Sequence, residues 1–308
     1  MPRGRGRGWF SLLGYALYTL LMVGLALWLL FPQERVQRLV IGYANRLTPQ
    51  LQWQVAKVGL RWPLVLVMEQ VEANSPAYPG QSVLRFDALE FCPDLLKSLH
   101  RRALWLEYRL RMAAATAEGQ CGQQGEEWLF SGRLRALELS AIPALGDWLG
   151  RKVQGRVSLI YEGNGRLAQV SGLPWKAQLN VEQGRLLLQR PVLNHAEIPF
   201  SQVSALLHGE GHRISIDQGS LDSPLGKGWF KGNVSLMGPA EQQLDLRGGL
   251  QPEEQFFAGM ANSVALQALR AELKDKSLSV RLTGALQHPG IHFGDVAMQM
   301  YALEKESR

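Results

Sequence analysis

The sequence predicts a mainly β protein, in which an N-terminal transmembrane helix precedes an elongated, curved antiparallel β-sheet domain with a few short helices. Three observations predict it. Trp9 to Phe31 run for 23 positions without a charge. After Pro49 the apolar residues recur with a period near two. Glycines then punctuate the chain at intervals of roughly ten to fifteen residues, as turns and bulges require. Strands and helices do not alternate regularly, which argues against a parallel doubly wound sheet.

Residues 1–8 form a basic tail with Arg3, Arg5 and Arg7. Across the 308 residues 33 basic side chains face 27 acidic ones, a formal charge of +6, and these three arginines supply half of it. No basic stripe with interleaved aromatics follows, so nucleic acid is not an expected partner. Residues 9–31 span about 34 Å as a helix, enough for a hydrocarbon core of about 30 Å. Trp9 and Trp28 stand near its ends, where indole rings favour the interface. A cleaved leader would have a shorter apolar region and a small-residue cleavage site, and Phe31-Pro32-Gln33-Glu34 offers none. The acid-free tail is expected in the cytoplasm, with the main domain exported, although Arg35, Arg38 and Arg46 narrow the charge contrast.

Residues 32–48 read as a second, amphipathic helix with Pro32 in its first turn. Val36, Leu39, Val40, Tyr43, Ala44 and Leu47 form its stripe. It either lies on the membrane surface or caps the sheet. Residues 49–308 are expected to be β-rich. Leu51, Trp53 and Val55 alternate with glutamines, Leu64 to Met68 is a β-branched apolar run, and Val83 to Phe91 alternates again. Similar segments follow at 104–112, 153–161, 175–181 and 185–189. Short helices are expected at Pro93–Arg102, Ile142–Leu149 and Glu253–Leu269. A weak repeat closes the chain: Ile214 and Ile216 lead to Gly219 and Pro224, Leu244 and Leu246 to Gly248 and Pro252, Val280 and Leu282 to Gly284 and Pro289. Each unit reads as a strand ending in a glycine bend.

Few residues suggest chemistry. Cys92 and Cys121, 29 positions apart, either form one disulfide or stay as separately buried thiols; no zinc-type spacing exists. His208 and His212 are four apart, a metal-ligand spacing on a helix, but the intervening Gly209 and Gly211 favour a hairpin turn. His288 and His292 bracket a Pro-Gly turn in the same way. Gly163-Asn-Gly165 lies between strand patterns, where it cannot offer a helix N-terminus to a phosphate. Gly226-Lys-Gly228 is not a phosphate loop. The expectation is therefore a non-enzyme without cofactor or metal. Leu64, Leu66, Leu186, Leu188, Ile214, Ile216, Leu244, Leu246, Val280 and Leu282 either line an apolar groove or are plain core, since alternation looks identical in both.

The order of several segments resembles the type II secretion system protein N (GspN) family, in its form related to AsmA-like envelope proteins. They are the anchor followed by Phe31-Pro32, Leu89-Glu-Phe-Cys-Pro-Asp-Leu-Leu-Lys-Ser-Leu99, and Ile142-Pro-Ala-Leu145 with Val153-Gln-Gly-Arg-Val157. Ser223-Pro-Leu-Gly-Lys-Gly228 with Gly232-Asn-Val-Ser-Leu236 and Leu282-Thr-Gly-Ala-Leu-Gln-His-Pro289 complete the set. The resemblance covers most of the chain. It implies a single-pass protein of the bacterial inner membrane with a periplasmic β-domain, associated with other subunits of the type II secretion machinery in assembly or scaffolding. Its AsmA-like side implies a second role, sheltering phospholipid acyl chains in a β-groove between the two membranes.

Overall fold

The computed structural model describes residues 6–49, 51–75, 82–142, 145–166, 173–192, 195–236, 242–257, 267, 270, 273, 277–286 and 289–293. The helix α1 (Gly6–Leu29) is followed by α2 (Gln33–Leu47). The strands are β1 (Gln52–Arg61), β2 (Val65–Asn74), β3 (Ser82–Pro93), β4 (Trp105–Met112), β5 (Ala115–Gln124), β6 (Glu127–Glu138) and β7 (Val153–Gly165). They continue as β8 (Trp175–Val192), β9 (His195–Glu210), β10 (Arg213–Ser223), β11 (Gly226–Leu236), β12 (Gln242–Pro252), β13 (Leu278–Ala285) and β14 (Gly290–Phe293). Two short helices interrupt them, α3 (Leu95–Arg101) and α4 (Leu145–Leu149).

All 14 strands form one antiparallel sheet in sequence order. Consecutive strands therefore pair throughout, and at about 4.8 Å per strand the sheet is about 62 Å wide. One face is apolar, and its best-filled part lies at the N-terminal end. There Val55, Val58, Met68, Val71, Phe86, Met112, Leu137, Val157 and Val181 make a continuous buried cluster, joined by Phe31, Val36, Val40 and Ile41.

The helix α2 closes this end. It turns Val36, Val40 and Ile41 inward, while Leu39 and Tyr43 are 72% and 55% exposed, so the stripe is rotated from the one expected. Its polar side chains also cap the outer edge of β1: Asn45 Oδ1 accepts from Trp53 N–H at 2.9 Å, and Gln37 Nε2 donates to the Val55 carbonyl at 2.6 Å. An edge strand is left less open to stray pairing by such cover.

The opposite face is polar and carries cross-strand ion pairs. Arg61 and Arg111 flank Glu90, Arg133 and Arg135 flank Glu118, and Arg281 meets Asp245. Bulges keep the two faces segregated. Inward residues pass from Leu134 to Leu137 across Ala136, whose φ is 56°, and from Val181 to Gly184 across Gln183, whose φ is 48°. An extra residue restores the side-chain phase while twisting the strand.

Several expectations need correction. β5 and β6 are full strands that the polar, glycine-containing sequence did not reveal. Gly219 follows a bulge in β10 after Ile216, whereas Gly248 lies in unbroken register inside β12; the two oppose Phe230 from either side. The helix expected at 253–269 is described as a 3₁₀ turn at Glu254–Phe257 with Phe256 and Phe257 buried, and most of the remainder lies outside the described residues. α1 is a single helix of 24 residues. Among the described residues no helix is long and apolar enough to cross a membrane; the side chains of residues 6–11, 13, 17, 20 and 27 lie outside that description.

Candidate functional site

Residues directly opposite one another in neighbouring strands project from the same face. One such row can be followed across the whole sheet. It begins with Leu60, Leu66, Phe91 and Tyr108, one on each of β1 to β4. Gly119, Gly132, Tyr161, Ala177 and Leu207 carry it over β5 to β9. Ile216, Gly232, Leu246, Leu282 and Ile291 complete it on β10 to β14. None of the fourteen is charged. The neighbouring row on the other face contains Glu90, Arg109, Glu118 and Arg133, with Ile160 and Leu206 further along it.

Glycine opposite an aromatic ring is the recurring device on the apolar face. Phe130 lies over Gly163, Trp175 over Gly209, Phe200 over Gly184 and Phe230 over Gly219; in each case an added Cβ would come within 2.4 Å of the ring. The missing side chain lets the ring lie across the neighbouring strand, which covers the glycine backbone with apolar surface. Tyr108 and Tyr161 do this jointly. They reach across Gly119 and Gly132 until their hydroxyls meet at 2.7 Å, and Tyr108 Oη also donates towards the Ser131 carbonyl at 3.2 Å. Burial pushes the Tyr108 phenol far above its ordinary range, and the hydrogen bond to Tyr161 adds to the shift. Burial likewise raises the Cys121 thiol.

Of the ten residues expected to line a groove, Leu66, Ile216, Leu246 and Leu282 belong to the row just traced. Ile214 and Leu244 lie in the adjoining inward row through Val234, and Val280 opposes Gly248 beside Phe230. Leu186 and Leu188 extend the same face of β8 beyond its bulge. Leu64 is the exception, standing in the β1–β2 turn.

The face is not filled uniformly. Where α2 does not reach, under β8 to β14, it holds a cavity of about 380 Å³. Leu188, Leu246, Val280 and Leu282 line it together with Leu221, Phe230 and Phe256, and its walls are almost wholly apolar. That volume falls within the range of roughly 300–1,000 Å³ typical of small-ligand sites. At its margin Ser223 is buried but satisfied, donating to the Pro199 carbonyl at 2.6 Å and accepting from Leu225 N–H. Chemically, such a space can accept hydrocarbon and offers little to a polar solute.

The other candidates are not brought together. Cys92 opposes Glu107 and Cys121 opposes Leu106. Glu107 and Leu106 are adjacent on β4 and point to opposite faces, so the two thiols do as well, with a whole strand between them. Both are free. A disulfide requires Cα atoms within about 7 Å and converging side chains, which this register forbids. His208 stands on β9 with its Nδ1 2.8 Å from Asp217 Oδ2, and His212 sits in the following turn. The pair is therefore on a strand and its hairpin, not on one helical face. His288 lies outside the described residues, and His292 is on β14 opposite Arg281. The Tyr108–Tyr161 bridge had no recognisable sequence signal, because the partners are 53 positions apart. The chain matches no family model, no curated protein and no solved structure.

Proposed function

We propose that this chain is a non-enzymatic, membrane-anchored component of the bacterial envelope, acting in the assembly or scaffolding of a type II protein secretion system. The observation that carries this reading is the single antiparallel meander of 14 strands following a long N-terminal helix, the architecture that the resemblance implies. In this reading α1 holds the protein in the inner membrane and the sheet lies in the periplasm. The charge-free run supports the anchor, as does the exposure of Leu12, Tyr15, Tyr18, Leu21 and Val23 on α1, a surface that is costly in water. Thr19 also fits, since its hydroxyl donates back to the Tyr15 carbonyl at 2.8 Å and so needs no water. The test is a photocrosslinking residue in place of Trp229, which is 50% exposed, in intact cells. Capture of secretion-system subunits is expected; capture of cytoplasmic proteins would reverse the orientation and end the proposal.

A second reading, the sheltering of phospholipid acyl chains, is favoured by the cavity under β8 to β14. Mass spectrometry of the purified full chain should then find phospholipid, and Val280→Trp, which fills the cavity, should lower the load. A lipid-free protein, or a load unchanged by the substitution, refutes this second role.

A further inference from the structure

Besides α1, the structure exposes a second apolar surface. Arg61 opposes Val65 at the β1–β2 turn, Leu66 opposes Phe91, and Pro93 opposes Leu106. The turn at 62–64 and the β3–β4 connection bearing α3 therefore lie at one end of the sheet. The helix α1 passes the same end, because the Trp62 ring comes to 3.6 Å of where a Cβ on Gly24 would stand. Gly24 is the one described residue of α1 that is partly covered; those on either side of it, Leu12 to Val23 and Leu25 to Leu29, are exposed.

At this end of the sheet α3 buries none of its residues. Leu95, Leu96 and Leu99 are 64%, 85% and 80% exposed, and Trp62 is 59% exposed. Spacings of three and four put the leucines on one side of the helix. Three large apolar side chains exposed on seven residues call for an apolar covering. The intervening and following positions are Lys97, His100, Arg101 and Arg102. Lys97 and Arg101 hold their cations 4.0 and 5.3 Å from the Trp105 ring. Asp94, which opens the helix, is occupied in capping α3 through Lys97 N–H. Leucines flanked by cations match an anionic bilayer surface, where apolar groups enter the acyl boundary and cations meet the headgroups.

We propose that α3 and Trp62 seat on the surface of the same bilayer that holds α1, a second contact that fixes the sheet's orientation above the membrane. This rests on reading α1 as an anchor, and the experiment separates the two. The full chain, with Cys92→Ser and Cys121→Ser, is labelled with an environment-sensitive fluorophore on either Leu96→Cys or Leu21→Cys. It is then reconstituted into phosphatidylethanolamine vesicles with and without phosphatidylglycerol, containing brominated lipid as a quencher. Expected is a blue shift and loss of emission at both positions, with the loss at Leu96 reduced when phosphatidylglycerol is omitted. Quenching at Leu21 with an aqueous Leu96 overturns the inference and leaves the anchor standing. A blue-shifted but unquenched Leu96 means a protein covers α3, and also overturns it. No quenching at either position removes both.

Discussion

Gly132→Ala tests how the apolar face is built. An ideal Cβ on Gly132 would lie 2.5 Å from Tyr108 Oη and 2.8 Å from Tyr161 Oη, with the Glu118 carbonyl at 2.9 Å. Ordinary contact begins near 3.4 Å, so the two hydroxyls must retreat by about 0.9 and 0.6 Å. Retreating along their separate rings strains their 2.7 Å contact. Overpacking of this kind costs about 1–3 kcal/mol, and losing the hydrogen bond adds about 1 kcal/mol. Tyr108→Phe alone removes the bond and costs about 1 kcal/mol. It also clears the nearer obstacle, so the double variant should lose at least about 1 kcal/mol less than the sum of the singles. Urea unfolding of the full chain in detergent, followed by tryptophan fluorescence, reads all four corners of the cycle. An additive cycle, or a neutral Gly132→Ala, would refute the idea that these glycines exist to seat the rings.

The remaining predictions concern pH, thiols, the sheet edge and a buried hydroxyl. Because the folded state raises the Tyr108 pKa, its contribution to stability is complete below the ordinary tyrosine value of about 10 and is lost as pH rises towards the folded value. Tyr108→Phe should therefore flatten the loss of stability above about pH 10, measured by urea titration at several pH values. Treatment with a thiol oxidant should leave Cys92 and Cys121 unbridged within one chain, as mass spectrometry after alkylation in denaturant will show. Asn45→Ala removes the acceptor for Trp53 N–H on the edge of β1 and should cost about 1 kcal/mol, with more self-association visible by light scattering. Ser223→Ala leaves the Leu225 N–H without its partner and should cost about 1–2 kcal/mol in the same unfolding assay.

The segments legible in the sequence were those whose alternation runs unbroken. Leu51 to Val55, Leu104 to Met112 and Trp175 to Val181 lie in or overlap strands of the sheet. Alternation fails as a guide where a bulge intervenes. Val55 and Val58 both face inward, as do Met68 and Val71, since Gln70 takes a φ of 51°, and no fixed period follows that step. β5 escaped notice because its inward positions are Ala115, Ala117, Gly119 and Cys121, small residues that look like a loop until Leu110, Tyr108 and Leu134 are seen beside them. The groove residues were nearly all placed on one face by parity alone. Whether that face is filled depends on α2 and on Phe256, distant parts of the chain.

The sequence by itself determined the mainly β class of the fold, because a period of two is a local property that needs no partner to be read. It also determined the polar and apolar sides of most strands. Only the tertiary structure decided the register, and register is a pairwise property of strands up to several dozen residues apart. From it follow the separation of Cys92 and Cys121 onto opposite faces, the meeting of Tyr108 with Tyr161 over two glycines, and the exposure of the α3 leucines at the end of the sheet that α1 passes.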